Sequence, residues 1–175
     1  MEKKLNEEIK PPITKSPKVD EGIYTSRSAV KDIFRIKHYF ANRMLPVKID
    51  LAGISEVGSE YIQGLCETVA PGNYVRLFNE AKSIILEGVK DAGIPSLDEI
   101  IKRAHLEGNE EFIKTITEVK NLVSDDRIIE NFKTLDQMIE RKRISKLIFD
   151  TTSKEIDKWF EKVINLLEKA MYIIQ

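Results

Sequence analysis

Cysteine occurs once in this 175-residue chain, at Cys66. No intrachain disulfide can form, and such usage suits a reducing compartment. Histidine occurs twice, at His38 and His105, in separate segments and with no Cys-x-x-Cys or His-Glu-x-x-His pattern. No metal site is therefore expected, and Cys66 has no histidine in local register to activate it as a nucleophile. Gly53 and Gly58 complete neither a GxGxxG nor a Walker pattern, so nucleotide binding is not indicated and no cofactor is expected. No apolar run approaches the roughly 20 residues that span a bilayer. The N-terminus shows no signal-like apolar segment, so the expectation is a cytoplasmic protein without membrane contact. An excess of one charge is missing too: 28 basic and 29 acidic residues leave a net charge of -1. That excludes a strong overall field toward nucleic acid or anionic lipid and leaves only local patches.

What is present is a foldable mixture, 42% apolar and 33% charged, in a chain long enough for one sizeable core or for a small domain with an appended helical unit. Lysine, glutamate and isoleucine dominate, and glutamine is confined to Gln63, Gln137 and Gln175, a thermophile-like composition.

The patterning divides the chain into three parts. Residues 1–21 are polar and carry Pro11, Pro12 and Pro17, which predicts a tail. Over 22–93 the elements alternate. Gly22-Ile23-Tyr24-Thr25 reads as a short strand, and Ser26 or Ser28 caps a helix to about Asn42 with Val30, Ile33, Phe34, Lys37 and Ala41 in phase. Pro46 stops any continuation, and Val47, Ile49 and Leu51 alternate with Lys48 and Asp50 as in a strand. A helix from Ser59 to Val69, a Pro71-Gly72-Asn73 turn, a strand at Tyr74–Phe78 and a helix capped by Asn79 follow. Over 96–175 there are only helices. Ser96–Glu99 and Thr152–Glu155 form capping boxes, Gly108-Asn109 separates two helices, and Ser124 or Asp125 caps a third that reaches about Phe149. The expected fold class is thus α/β, a small mixed sheet with covering helices, followed by an all-α region.

The segment Pro46–Ile62 carries the candidate site. A strand ending at Asp50, a turn bracketed by Gly53 and Gly58, and a helix opening with Ser59, Tyr61 and Ile62 would form a partner-binding surface. A hydroxyl at a helix N-terminus is commonly a plain cap. The same position would also stabilise a phosphate, which there would act as a charge switch on a contact surface. Both readings stand for Ser59.

The runs GIYTSRSAVKDIF, VKIDLAGISEVGSEYI and YVRLFNEAKSII resemble the STAS-like domain family, which is similar to anti-sigma factor antagonists. The resemblance covers roughly residues 20–93 and implies a regulatory, non-enzymatic protein acting through protein–protein contact. It implies phosphorylation at the position matching Ser59 by a partner kinase of the histidine-kinase-like ATPase type. Gly58 stands where the family has an acidic residue, and Tyr61 where it has a small one. It also implies an anchoring role for Arg27 at the end of the sheet.

Two further features bear on partners. Arg141, Lys142 and Arg143 form a basic cluster that could contact phosphates, the motive for a second expectation, a nucleic-acid-associated or defence-complex subunit. Glu130, Asp136 and Glu140 interleave with that cluster, which favours a solvated face of i,i+4 pairs and disfavours nucleic acid. Trp159, Phe160, Val163, Leu166, Leu167 and Met171 form a stripe on the last helix, read as internal packing or as a homo-oligomer contact.

Overall fold

The computed structural model describes residues 23–143 and 145–175; the expected tail lies outside them, as do the side chains of Val57 and Ser59. Among the described residues seven α-helices follow one another: α1 (Ser26–Val57), α2 (Ser59–Thr68), α3 (Asn73–Glu87), α4 (Leu97–Arg103), α5 (Glu110–Ser124), α6 (Asp126–Arg141) and α7 (Lys146–Ile174), with a short 3-10 turn at Lys90–Ala92. Among the described residues there is no strand, only one antiparallel bridge between Val89 and Ile94. The expected α/β sheet is therefore corrected to an all-helical fold, and with it the STAS-like architecture: Gly22 of the expected first strand lies outside the described residues, Ile23–Thr25 form no strand, and 47–51 and 74–78 are helical.

The reason is visible in α1. Ala29, Ile33, Ile36, Phe40, Met44, Val47, Leu51 and Ile54 recur at three- and four-residue steps and are all buried. Val47 and Leu51 share a face in a strand and in a helix alike, being four residues apart. Ile49 decides between the two, and it is 56% exposed while Val47 is 0%. Pro46 lies inside the helix rather than ending it. Its missing N–H costs about 3 kcal/mol. The buried line beyond it adds Val47, Leu51 and Ile54, each stabilising by about 1.5–3 kcal/mol, so the helix continues. The same logic turns the expected strand at 74–78 into α3, since Tyr74, Leu77, Phe78, Ala81, Ile84 and Ile85 form one buried face.

Caps set the other boundaries. Thr25, not Ser26 or Ser28, caps α1: its side chain accepts from Ser28 N–H, and Ser28 Oγ accepts from Thr25 N–H in return. Ser96, Asn109 and Asp125 cap α4, α5 and α6 by accepting from first-turn N–H groups; Ser96 is the expected cap, Asp125 is the one used of the pair Ser124 or Asp125, and Asn109 is expected only as a break. The helix opened by Asp125 ends at Arg141, where Lys142 turns left-handed (φ 55°), instead of reaching Phe149. The second capping box is not used: α7 begins at Lys146 under a Ser145 cap and runs through Thr152, which is buried.

One contiguous core runs from Ala29 to Ile174. At its centre Phe78 stacks on Phe132 with ring centroids 4.8 Å apart, and Trp159 meets Phe40, Phe78 and Phe132 at 5.6–5.8 Å. The indole N–H of Trp159 donates to the Leu122 carbonyl at 2.9 Å, so α1, α3, α5, α6 and α7 are joined through one side chain. Helices α1 and α7 run antiparallel, linked by Lys37–Glu168 and Lys48–Asp157, each at 2.9 Å. Tyr24 donates to Asp32 and lies 4.3 Å beneath the Arg103 guanidinium, which ties the start of α1 to α4.

Candidate interaction site

The expected site falls at the elbow between α1 and α2. Gly58 occupies it with φ 84°, a conformation that favours glycine, and stands as the N-cap of α2, so Ser59 is the first helical residue rather than the cap. Ser59 is thus placed by its backbone alone. A Cβ on Gly53 would lie 2.3 Å from Tyr61 Cζ: the absent side chain leaves the space that the Tyr61 ring fills. Tyr61 Oη donates to Asp50 Oδ1 at 3.5 Å, and Tyr74 Oη donates to Asp50 Oδ2 at 2.7 Å. Ile62 is half-buried against the core. Asp50, Gly53 and Tyr61 therefore do come together, around a tyrosine that sequence reasoning assigned to a strand.

A second carboxylate, also missed as part of this site, completes the elbow. Gly72, the N-cap of α3, offers no side-chain acceptor. Asp136, buried on α6, supplies one instead: its two oxygens accept from Tyr74 N–H and Val75 N–H, both at 2.9 Å. The helix N-terminus is thus capped from another helix. Burial raises the Asp136 carboxyl above its ordinary value, outweighing the backbone donors that favour the charged form. Burial, then the hydrogen bond and charge of Asp50, raises Tyr74; burial and Asp50 also raise Tyr61. Both phenols stay protonated and donating at neutral pH. Chemically the elbow is a set of internal pins, with its polar atoms spent on one another. The signal for Asp136 was present: an acidic residue on the apolar side of α6, between Leu135 and Met138.

The other candidates separate. Arg141, Lys142 and Arg143 are all exposed, and among the described residues none has an ion-pair partner. Asp136 does not interleave with them on the surface, because it points inward to cap α3. Cys66 is buried on the apolar face of α2. His105 is exposed in a left-handed conformation after α4. Among the described residues no group of His, Cys, Asp and Glu could hold a metal, and no helix is long and apolar enough to cross a membrane. On α7, Trp159, Val163 and Leu167 of the expected stripe face the core, while Phe160, Leu166 and Met171 are only partly covered.

The surface that sequence reasoning missed is the outside of α1. Phe34 is 53% exposed, Leu45 50%, and Ile49 56%. His38 is exposed and stacks on Phe34, with ring centroids 6.4 Å apart. Beside Phe34 an open groove of about 680 Å³ runs between α1 and the end of α7, with Val30, Phe34, Met171 and Tyr172 as its apolar walls and Arg27, Lys31 and Lys37 on its α1 rim. Arg27 lies here, exposed in the first turn of α1, with no sheet among the described residues for it to anchor. The signal was the residue set 34, 38, 41, 45 and 49, a helical repeat that an interrupted helix at Pro46 concealed. No protein-family model, curated protein or solved structure matches this chain.

Proposed function

We propose that this protein acts by binding another polypeptide, as a regulatory or adaptor module without catalytic chemistry of its own. One observation carries the reading: Phe34, Leu45 and Ile49 stand exposed along the outer face of the longest helix, next to an apolar groove that ends at Tyr172. Large apolar side chains clustered in this way mark contact surfaces. Covering the exposed half of each would stabilise a complex by about 1 kcal/mol. The polar groups at the elbow support the same reading, since Asp50, Tyr61, Tyr74 and Asp136 are engaged with one another and hold the helices that present the outer face.

The test is affinity capture from native cells with tagged wild-type protein, Leu45→Glu and a control, Lys114→Glu on the exposed side of α5. At least one polypeptide, untagged copies of this chain included, should be retained by wild type and Lys114→Glu and lost by Leu45→Glu. Identical sets from all three proteins would overturn the reading.

A second reading has its own observation, the three adjacent exposed cations Arg141, Lys142 and Arg143 at the α6–α7 turn beside exposed Leu147 and Ile148. Contact with nucleic acid there would show binding that weakens steeply with salt and is lost when the three are neutralised. Absence of binding at low salt would remove it.

A further inference from the structure

The outer face of α1 is a second helical seam, and its order is self-complementary. Phe34, Ala41, Leu45, Ile49 and Ala52 repeat at three-, four- and seven-residue steps on the side opposite the buried line. At about 100° per residue they fall within an arc of about 80°, the width of seam that one partner helix covers. About the midpoint between Ala41 and Asn42, large residues mirror large ones, while small Ala41 mirrors Asn42 and Ala52 mirrors Lys31. Phe34 mirrors Ile49 and His38 mirrors Leu45. Small Ala41 lies at the centre, where two backbones would approach most closely. At the ends, Arg27 mirrors Glu56, with Lys31 one turn from Arg27, and all three are exposed.

We infer that the occupant of this face is a second copy of the chain, packed antiparallel across a two-fold axis near Ala41. The inference rests on reading the outer face of α1 as an interaction surface and names what covers it. Charge selects the orientation. In the antiparallel pair Arg27 of one copy faces Glu56 of the other, with Lys31 one turn away, twice by symmetry. A parallel pair would set Arg27 and Lys31 against their own counterparts, which repel. Residue size agrees, because each large apolar side chain meets another large side chain. The groove adds to the contact, since Tyr172, 79% exposed, lies beside Phe34 and would meet the Ile49 end of the second copy.

The purified full-length chain tests this without any other protein. Sedimentation equilibrium should give the mass of two chains at micromolar concentration. Leu45→Glu should give the mass of one chain with unchanged helical circular dichroism, because Leu45 is half exposed and lies outside the buried core. Glu56→Arg should weaken the dimer about tenfold, each substitution acting twice across the axis, and Arg27→Glu combined with Glu56→Arg should restore it. Orientation is read by cross-linking: Lys31→Cys mixed with Ala52→Cys should form a disulfide dimer, and neither alone should. A single-chain mass for wild type at 100-fold higher protein, a Leu45→Glu dimer, or cross-linking of each cysteine variant with itself would overturn the proposal. A monomeric wild type that still loses a captured protein through Leu45→Glu would leave the face as an interaction surface and remove the second copy as its occupant. A monomer with no such loss would remove both.

Discussion

At the centre of the bundle, Phe40, Phe78, Phe132 and Trp159 meet ring to ring, and the single polar atom they bring, the indole nitrogen, is satisfied by a backbone carbonyl. At the elbow, α1, α2, α3 and α6 meet around two carboxylates and two phenols. Both places join several helices, but by different forces. The aromatic centre is held by area removed from water and by packing, which are indifferent to pH and tolerate no cavity. The elbow is held by hydrogen bonds to charged acceptors, which are directional, depend on protonation and become costly when one partner is removed. The lesson is a division of labour: rings set how much stability the bundle has, and carboxylates set where α2 and the start of α3 sit.

Trp159→Ala should give the largest loss, about 3–5 kcal/mol, because a cavity opens among four helices and the Leu122 carbonyl loses its donor. Urea unfolding would show a lower midpoint at every pH between 5 and 9, and a loss below 1 kcal/mol would mean that the centre is not packed as described. Asp136→Ala comes next, at about 2 kcal/mol, since two N–H groups at the start of α3 lose their acceptors. Hydrogen exchange should accelerate first at Tyr74 and Val75, and uniform acceleration across α3 would contradict a local cap.

Tyr74→Phe should cost about 1.5 kcal/mol at pH 7, the value of a buried hydrogen bond to a carboxylate. It also separates the two regions by pH. The folded phenol is raised above its ordinary value, so the folded state keeps a proton that the unfolded chain releases. That contribution is fully present below about pH 10 and is lost as pH rises through the folded value. Wild-type stability should therefore fall above about pH 10 more steeply than that of Tyr74→Phe. Parallel curves would show that Tyr74 is not the group involved. The smallest effect is expected from Asp157→Ala, which breaks a part-buried surface pair with Lys48 and should cost about 1 kcal/mol or less, less at high salt. A larger loss would indicate that the α1–α7 pairing relies on surface charge rather than on the core beneath it.

The second half of the chain was legible where caps are local. Ser96, the break at Gly108-Asn109, and Ser124 or Asp125 announce α4, α5 and α6, because a cap is a contact between residues two or three positions apart. The first half misled for an equally local reason. Five residues alternating after a proline satisfy strand periodicity, and Val47 and Leu51 satisfy helical spacing just as well. Only the longer line from Ala29 to Ile54 separates the two, and it has to be read through Pro46. Asp50, Gly53 and Tyr61 lie together because the elbow brings near neighbours in sequence into contact. Tyr74 and Asp136 are not legible in this way, since the contact between them joins α3 to α6 over 62 positions.

By itself the sequence determined what short-range physics decides: the Ser96 cap, the break at Gly108-Asn109, and a single cysteine that excludes an intrachain disulfide. It also carried both seams of α1, as two interleaved helical repeats. The tertiary structure alone decided that 47–51 and 74–78 are helical, that Asp136 turns inward to cap a distant helix, and that one seam of α1 is buried while the other faces out. The physical reason is that burial depends on the whole bundle: a proline's lost hydrogen bond or a desolvated carboxylate is tolerated only when enough apolar area and enough N–H donors from other helices are gathered around it.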